Sequence, residues 1–290
     1  MCSIVGEVVM SALRAVPDLS GLNREDTVAA LRKSMAGLGA VVPEPASGRG
    51  GDGGRGSHVV VGDGGGVVPA AGDGYSVADG RVPVPAGLAG LLDGGLLKGA
   101  VSSIDAAGAV VAGILAEVTA AGGHVALVGL PDFAPLSIVE HGGDLSRVLD
   151  VPEPGESPLE VVALLADGVD VVVVKLERTP PPSAARPVMA RLRGSGCALL
   201  YVGEGWPGSK VSVASRVTAI HGLGAGHGRI RGVEFHVTAR GAGRPERGVR
   251  WTIGDCPTSE AAATEATALD VREGSGAAGG VVPLPLRKAE

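Results

Sequence analysis

One short stretch, residues 169–174, limits the possible folds more than any other part of the chain. It reads Val-Asp-Val-Val-Val-Val and is apolar without interruption after Asp170. Such runs are typical of parallel strands that helices cover on both faces. Similar runs alternate here with segments of helical period; the strand candidates are 100–104, 124–128 and 197–202, and the helix candidates are 109–121, 134–140, 158–167 and 184–194. The pattern predicts an α/β fold, a mostly parallel sheet with helices on both faces.

The hydrophobic period changes after residue 202. Segments 211–221, 229–240 and 248–253 have the composition of strands, and Gly-rich turns separate them without an intervening helix. Parallel strands need a long crossover connection, whereas antiparallel strands need only a short turn. We therefore expect antiparallel strands at one edge of the parallel sheet.

Residues 24–38 predict an amphipathic helix near the amino terminus. Asn23 is a suitable N-cap and Gly39 a stop signal, and apolar side chains recur between them at helical spacing: Val28, Leu31, Met35 and Leu38. This stripe can bind the chain's own core, a neighbouring subunit or a partner protein. We favour a role as a partner-binding helix.

A second helix start is visible before residues 158–167. Ser157 and Glu160 have the spacing of a capping box, and Pro158 occupies the first helical position. We expect the Ser157 side chain to cap this helix.

Glycine divides the chain into parts. It accounts for 49 of the 290 residues, and many of these lie at 41–80, which includes the runs GRGGDGGRG and GDGGG. Such composition is typical of a flexible linker, with a loop-rich subdomain as the alternative. The sequence thus predicts an amino-terminal helical segment at 1–40, a linker at 41–80, a core at 81–255 and a carboxyl-terminal tail at 256–290.

Charge and cysteine content exclude several classes of protein. A net charge of −6 argues against a chain that coats nucleic acid, although a local basic patch remains compatible. The three cysteines lack paired spacing, which disfavours a disulfide framework or a zinc site. No targeting segment and no apolar run of about 18 residues is present, so we expect a cytoplasmic protein without a membrane partner. No nucleophile, carboxylate pair or metal-ligand pattern stands out, so we predict no catalytic residue, metal or cofactor.

The order of several segments resembles the core of RecA recombinase over residues 81–254. The segments are 84–99 (VPAGLAGLLDGGLLKG), 142–149 (GGDLSRVL), 214–220 (ASRVTAI) and 232–240 (GVEFHVTAR). The resemblance implies a RecA-like core that ends in antiparallel strands.

The chain departs from this family where the family binds ATP. A phosphate-binding loop requires the pattern GxxxxGK[ST], because its lysine reaches the phosphates and its hydroxyl holds Mg²⁺. The corresponding stretch contains Asp105, Gly108 and Gly113 without that lysine and hydroxyl, and Lys175 stands where the family has a magnesium-supporting acid. Asp132 is the only acid near the position of the catalytic carboxylate. The resemblance with these losses implies that the chain is not an ATPase.

Residues 31–38 (LRKSMAGL), combined with a core that lacks the ATP site, resemble bacterial mutasome accessory proteins of the ImuA type, in particular the actinobacterial ImuA-prime form. That resemblance implies a non-catalytic scaffold in damage-induced, error-prone translesion synthesis. It implies as partners an ImuB-type Y-family-like protein and a C-family error-prone polymerase, with association with the nucleoid. A divergent RecA-family ATPase and a DNA-binding recombination mediator are the alternatives.

Two features could contact DNA or a partner protein. Trp206 follows a predicted strand and could stack on a base at a loop tip, or it could fold back over the sheet edge. An Arg-rich strip on the last strands could share one face and bind phosphates, or it could be an ordinary solvated edge. Its members are Arg229, Arg231, Arg240, Arg244, Arg247 and Arg250, set against Glu234 and Glu246.

Overall fold

The computed structural model describes residues 13–16, 18–39, 80–106, 108–224, 227–241, 243–254 and 256. The predicted linker at 41–80 and tail at 256–290 lie outside these residues, apart from Gly80 and Cys256 at their ends. The division of the chain into four parts therefore stays a prediction.

Strands and helices alternate through the central part of the chain. The strands are β1 (Arg14–Ala15), β2 (Arg81–Val82), β3 (Leu96–Leu97), β4 (Val101–Ile104), β5 (Val125–Val128), β6 (Val148–Val151), β7 (Val171–Lys175), β8 (Ala198–Val202), β9 (Val211–Gly224), β10 (His227–Gly241) and β11 (Arg247–Gly254). The helices are α1 (Arg24–Leu38), α2 (Ala86–Ala89), α3 (Ala109–Ala120), α4 (Leu136–Glu140), α5 (Pro158–Leu165) and α6 (Pro182–Ser195), with a short 3-10 helix at Leu145–Arg147.

Nine of these strands form one mixed sheet in the order β1-β6-β5-β7-β8-β4-β9-β10-β11. The strands from β1 to β9 in this order are parallel, whereas β10 is antiparallel to both β9 and β11. The apolar run that predicted a central strand forms β7, between β5 and β8, and its four valines are fully buried. The predicted architecture, a mostly parallel sheet with antiparallel carboxyl-terminal strands, is confirmed.

Helices cover the parallel part of the sheet on both sides and create two apolar layers. One layer packs α2, α3 and α4 against the sheet and extends to Trp251 of β11. The other packs α1, α5 and α6 against the opposite face. Because side chains alternate along a strand, β4 sends Ser102 and Ile104 toward the first layer and Val101 and Ser103 toward the second.

Helix α1 packs on the core of its own chain. The Asn23 side chain accepts a hydrogen bond from the Asp26 amide at 2.9 Å, and Gly39 ends the helix in a left-handed conformation, as predicted. Leu31 and Met35 are fully buried in the layer that contains α5. The predicted partner-binding stripe is therefore wrong for these two residues, because burial on the chain's own sheet and helix occupies them. Val28 and Leu38 are half-buried.

Two other details differ from the sequence prediction. Strand β6 was not predicted, because its four residues include Asp150 and follow a short 3-10 helix instead of a turn. Helix α5 begins with Pro158 as expected, but the Ser157 side chain makes no capping hydrogen bond, so the capping box is wrong. No helix in the described ranges has the length and apolar content needed to cross a membrane.

Candidate functional site at the carboxyl edge of the sheet

The carboxyl ends of the parallel strands form a crevice where the direction of the chain reverses. The chain leaves β5 toward β6 on one side and leaves β7 toward β8 on the other. Ligands of open α/β sheets bind at such switch points. A crevice of about 1030 Å³ lies here, lined by the segments that follow β5, β6 and β7.

The crevice has an excess of negative charge. Its charged lining residues are Asp132, Glu153, Glu156, Glu160 and Glu177 against Lys175 and Arg178. One of these carboxylates is already paired, since Glu160 lies 3.2 Å from the exposed guanidinium of Arg24. An acidic lining of this kind repels phosphate groups, whose charge has the same sign.

Gly129 fixes the shape of the crevice. It follows β5 with a φ of +68°, a conformation that residues with a side chain rarely adopt. A Cβ atom built there would lie 2.5 Å from the carbonyl oxygen of Lys175. The two strand ends approach this closely only because position 129 has no side chain. Lys175 itself is exposed at the end of β7, which is where the sequence placed it.

The turn between β4 and α3 lies where the resemblance to RecA leads us to expect a phosphate-binding loop. Asp105 forms two hydrogen bonds to β9 there. Its amide donates to the Val213 carbonyl at 3.1 Å, and its Oδ2 accepts from the Ser215 amide at 3.0 Å. Gly108 is the N-cap of α3. Gly113, which the sequence placed in the loop, lies instead inside α3. Its missing side chain allows close packing there, since a Cβ at this position would be 3.0 Å from Pro85 and 3.2 Å from the Trp251 ring.

The segments after β7 and β8 are tied together beside this edge. The Thr179 hydroxyl donates to the Glu204 carbonyl at 3.0 Å and lies 3.2 Å from the Tyr201 hydroxyl. Trp206 is only 3% exposed, and its ring centroid lies 5.2 Å from that of Tyr201. The expectation that Trp206 stacks on a base is therefore wrong, and the alternative, that it folds back onto the protein, is correct.

The Arg-rich strip does not form one surface. Arg244 and Arg247 both bind the carboxylate of Asp93, and Arg250 lies 3.4 Å from Glu234. The hydrogen bond from Arg247 lowers the pKa of Asp93, so this carboxylate stays ionised. Three members remain exposed without an ion pair among the described residues; they are Arg229, Arg231 and Arg240.

Burial shifts the pKa values of two side chains in the interior, Cys197 and His124. Burial raises the pKa of the Cys197 thiol, which keeps it protonated and a poor nucleophile. Burial, with a smaller effect from Arg147, lowers the pKa of His124, whose Nε2 lies 3.0 Å from the Leu38 carbonyl oxygen. Within the described ranges, no three His, Cys, Asp or Glu side chains come together in a way that could hold a metal ion.

Sequence reasoning missed the acidic side of the crevice. Glu153 and Glu156 lie in the run Pro-Glu-Pro-Gly-Glu, directly after β6, and Glu177 follows β7. The sequence signal for this acidic side was the presence of glutamates directly after strands. It could be recognised only once β6 was known to be a strand, because that places the three acids at the same edge.

Comparison with known proteins places this chain in a family. Residues 89–208 match the model of the MT3502 N-terminal domain. Protein Rv3395c of Mycobacterium tuberculosis (strain ATCC 25618 / H37Rv) is 40% identical over 173 residues, which are 57% of this chain and 79% of Rv3395c.

Two solved structures share parts of the fold at low similarity. The RadB recombinase is 16% identical with a TM-score of 0.43, over 61% of this chain and 95% of that one. The flagellar accessory protein FlaH from Methanocaldococcus jannaschii is 9% identical with a TM-score of 0.37, over 55% of this chain and 86% of that one.

With 40% identity to Rv3395c across most of that protein, and a core that the domain model matches, the chain belongs to the family of the MT3502 N-terminal domain.

Proposed function

We propose that this protein is a non-catalytic accessory subunit of error-prone translesion DNA synthesis, of the ImuA type. The observation that carries the proposal is the reversal of charge at the carboxyl edge of the sheet. Asp105 stands in the turn where a phosphate-binding loop needs a lysine, and Lys175 ends the strand where magnesium needs an acid.

The contacts of Asp105 support this proposal. Its carboxylate accepts a hydrogen bond from the Ser215 amide, which holds its negative charge at the mouth of the turn. An ATPase must neutralise the charge of the transferred phosphoryl group with lysine and metal. Here the Asp105 carboxylate stands in place of the lysine, and Lys175 stands in place of the acid that would support the metal ion.

A scaffold also needs surface for its partners. Because Leu31 and Met35 of α1 are buried on the chain's own core, we assign partner binding to another surface. The long hairpin of β9 and β10 exposes large apolar side chains that are each between 37% and 57% accessible: Val217, Ile220, Leu223 and Ile230. Exposed apolar surface of this kind marks sites of protein association. We assign this hairpin to an ImuB-type Y-family-like protein, which in turn recruits a C-family polymerase.

Affinity purification of the full tagged chain from DNA-damaged cells tests the partners. We expect the Y-family-like protein and the C-family polymerase to be recovered. The variant Ile230→Ser should lose them, whereas Leu136→Ser, which changes a 39% exposed leucine on α4, should keep them. Recovery of no polymerase component with the unaltered chain would contradict the proposal.

A nucleotide titration tests the absence of catalysis separately. We expect no ATP binding in the micromolar range and no hydrolysis with Mg²⁺. Micromolar affinity that disappears in Lys175→Ala would instead support the divergent ATPase.

A further inference from the structure

A second cavity lies at the opposite end of β4, at the amino edge of the sheet. Its volume is about 310 Å³, at the lower end of the range for ligand pockets. Strands β2, β3, β4, β9, β10 and β11 contribute to its walls, together with residues 91–95 and 244–245. It is separate from the carboxyl edge described above.

The charge of this cavity is opposite to that of the whole chain. Its charged lining consists of Arg81, Lys210, Arg244 and Arg247 against the single carboxylate of Asp93. The protein as a whole carries −6. An excess of cations at one concave site in an acidic protein concentrates small anions there.

The guanidinium groups keep free donors. Arg81 donates from Nη1 to the Gly95 carbonyl at 2.8 Å, and Arg247 donates from Nη2 to the Leu91 carbonyl at 2.8 Å. Arg244 reaches Asp93 through Nη1 alone. Because a guanidinium has five N–H donors, most donors of the three arginines stay unused by the described residues. The Lys210 ammonium has no partner among those residues.

A buried hydroxyl group faces the same space. Ser102 is only 2% exposed and lies on the side of β4 that faces the cavity. Its neighbour Ser103, on the other side of the strand, donates to the Ser209 hydroxyl at 3.0 Å, whereas the Ser102 hydroxyl has no hydrogen-bond partner in the described part of the chain. Because this hydroxyl group opens onto the cavity, it can donate a hydrogen bond to an anion held there.

We propose that this cavity binds a phosphate group, held by Lys210, by the free donors of the three arginines and by the Ser102 hydroxyl. Arginine and lysine donors form charge-assisted hydrogen bonds to phosphate oxygens. The volume exceeds that of a bare phosphate, which allows a phosphate monoester to enter. The site lies at the far edge of the sheet from Asp105 and Lys175, so it stands independently of the proposed accessory role.

Calorimetric titration of the full chain at low ionic strength tests this site. The probes are inorganic phosphate, a 5′-phosphorylated oligonucleotide and the same oligonucleotide with a free 5′ hydroxyl. Loss of one charge-assisted hydrogen bond corresponds to roughly tenfold in affinity. Lys210→Gln should therefore weaken phosphate binding about tenfold and Ser102→Ala by a smaller factor, whereas Lys33→Gln, on the exposed face of α1, should leave it unchanged.

One substitution should tighten binding, which a damaged fold cannot mimic. Asp93 has a φ of +53°, a conformation that Asn tolerates well. Asp93→Asn keeps this turn and removes the one carboxylate that lines the cavity among the described residues, so we expect phosphate affinity to rise at least threefold. Preference for the phosphorylated oligonucleotide would identify a phosphate ester as the ligand, and equal affinity for inorganic phosphate would identify the free anion. Absence of phosphate binding, or binding that ignores Lys210→Gln and Asp93→Asn, would overturn the proposal.

Discussion

The substitution Leu31→Ala tests whether α1 is part of the folded core. Leu31 is fully buried between α1 and the layer that contains α5 and β6. Replacing a buried leucine with alanine costs about 2–5 kcal/mol, since it removes apolar contacts and leaves a cavity. We expect about 3 kcal/mol here, near the middle of that range, because Leu31 is fully enclosed by the apolar layer.

Urea unfolding, followed by far-ultraviolet circular dichroism, measures this effect. With a slope of about 2–3 kcal/mol per molar urea, the midpoint should fall by about 1–1.5 M. The matched control is Leu22→Ala, which makes the same change at a side chain 42% exposed just before the helix. Its cost should stay below about 0.5 kcal/mol. Equal midpoints for the two variants would refute the packing of α1 on its own chain and would restore the partner-binding helix.

Three further predictions concern His124, Gly129 and Trp206. Burial lowers the pKa of His124 in the folded protein, so the stability that this residue contributes is complete above the pKa it has in the unfolded chain and is lost as the pH falls below that value. The urea midpoint should therefore drop between pH 7.5 and 5 in the native chain and drop less in His124→Gln. Equal drops in the two proteins would contradict this. Gly129→Ala should cost at least about 2 kcal/mol, through its positive φ and its contact with a backbone carbonyl, whereas Gly196→Ala, with a similar φ but open space, should cost only about 1 kcal/mol in the same unfolding assay. In a Trp251→Phe background, fluorescence from Trp206 should be blue-shifted and resist acrylamide quenching, and ready quenching would show that its ring is exposed.

The central strands and helices could be predicted because their signals are local. The predicted strand at 197–202 and the helix at 109–121 agree with β8 and α3 to within one residue at each end. Both are mostly apolar runs, and their different lengths distinguish a short buried strand from a helix. Strand β6 has only four residues and contains Asp150, so no period could be read, and its strand structure depends on pairing with β5 and β1.

The site was predicted less well than the fold, because its residues come together from separate segments. Asp105 and Lys175 could be assigned from their places relative to strands. The acidic crevice required β6, and the cationic cavity joins Arg81, Ser102 and Lys210 through strand pairings that no local pattern contains.

Sequence alone determined the fold class of this protein, its parallel core, the helix boundaries at Asn23 and Gly39, and the positions of Asp105 and Lys175 at strand ends. These follow from residue chemistry and spacing, which act within a few residues along the chain. Only the tertiary structure decided that α1 covers its own core, that Trp206 is buried, and that Asp93 binds Arg244 and Arg247. Such contacts depend on which faces meet across the sheet, and long-range packing selects between alternatives that the local sequence leaves equal.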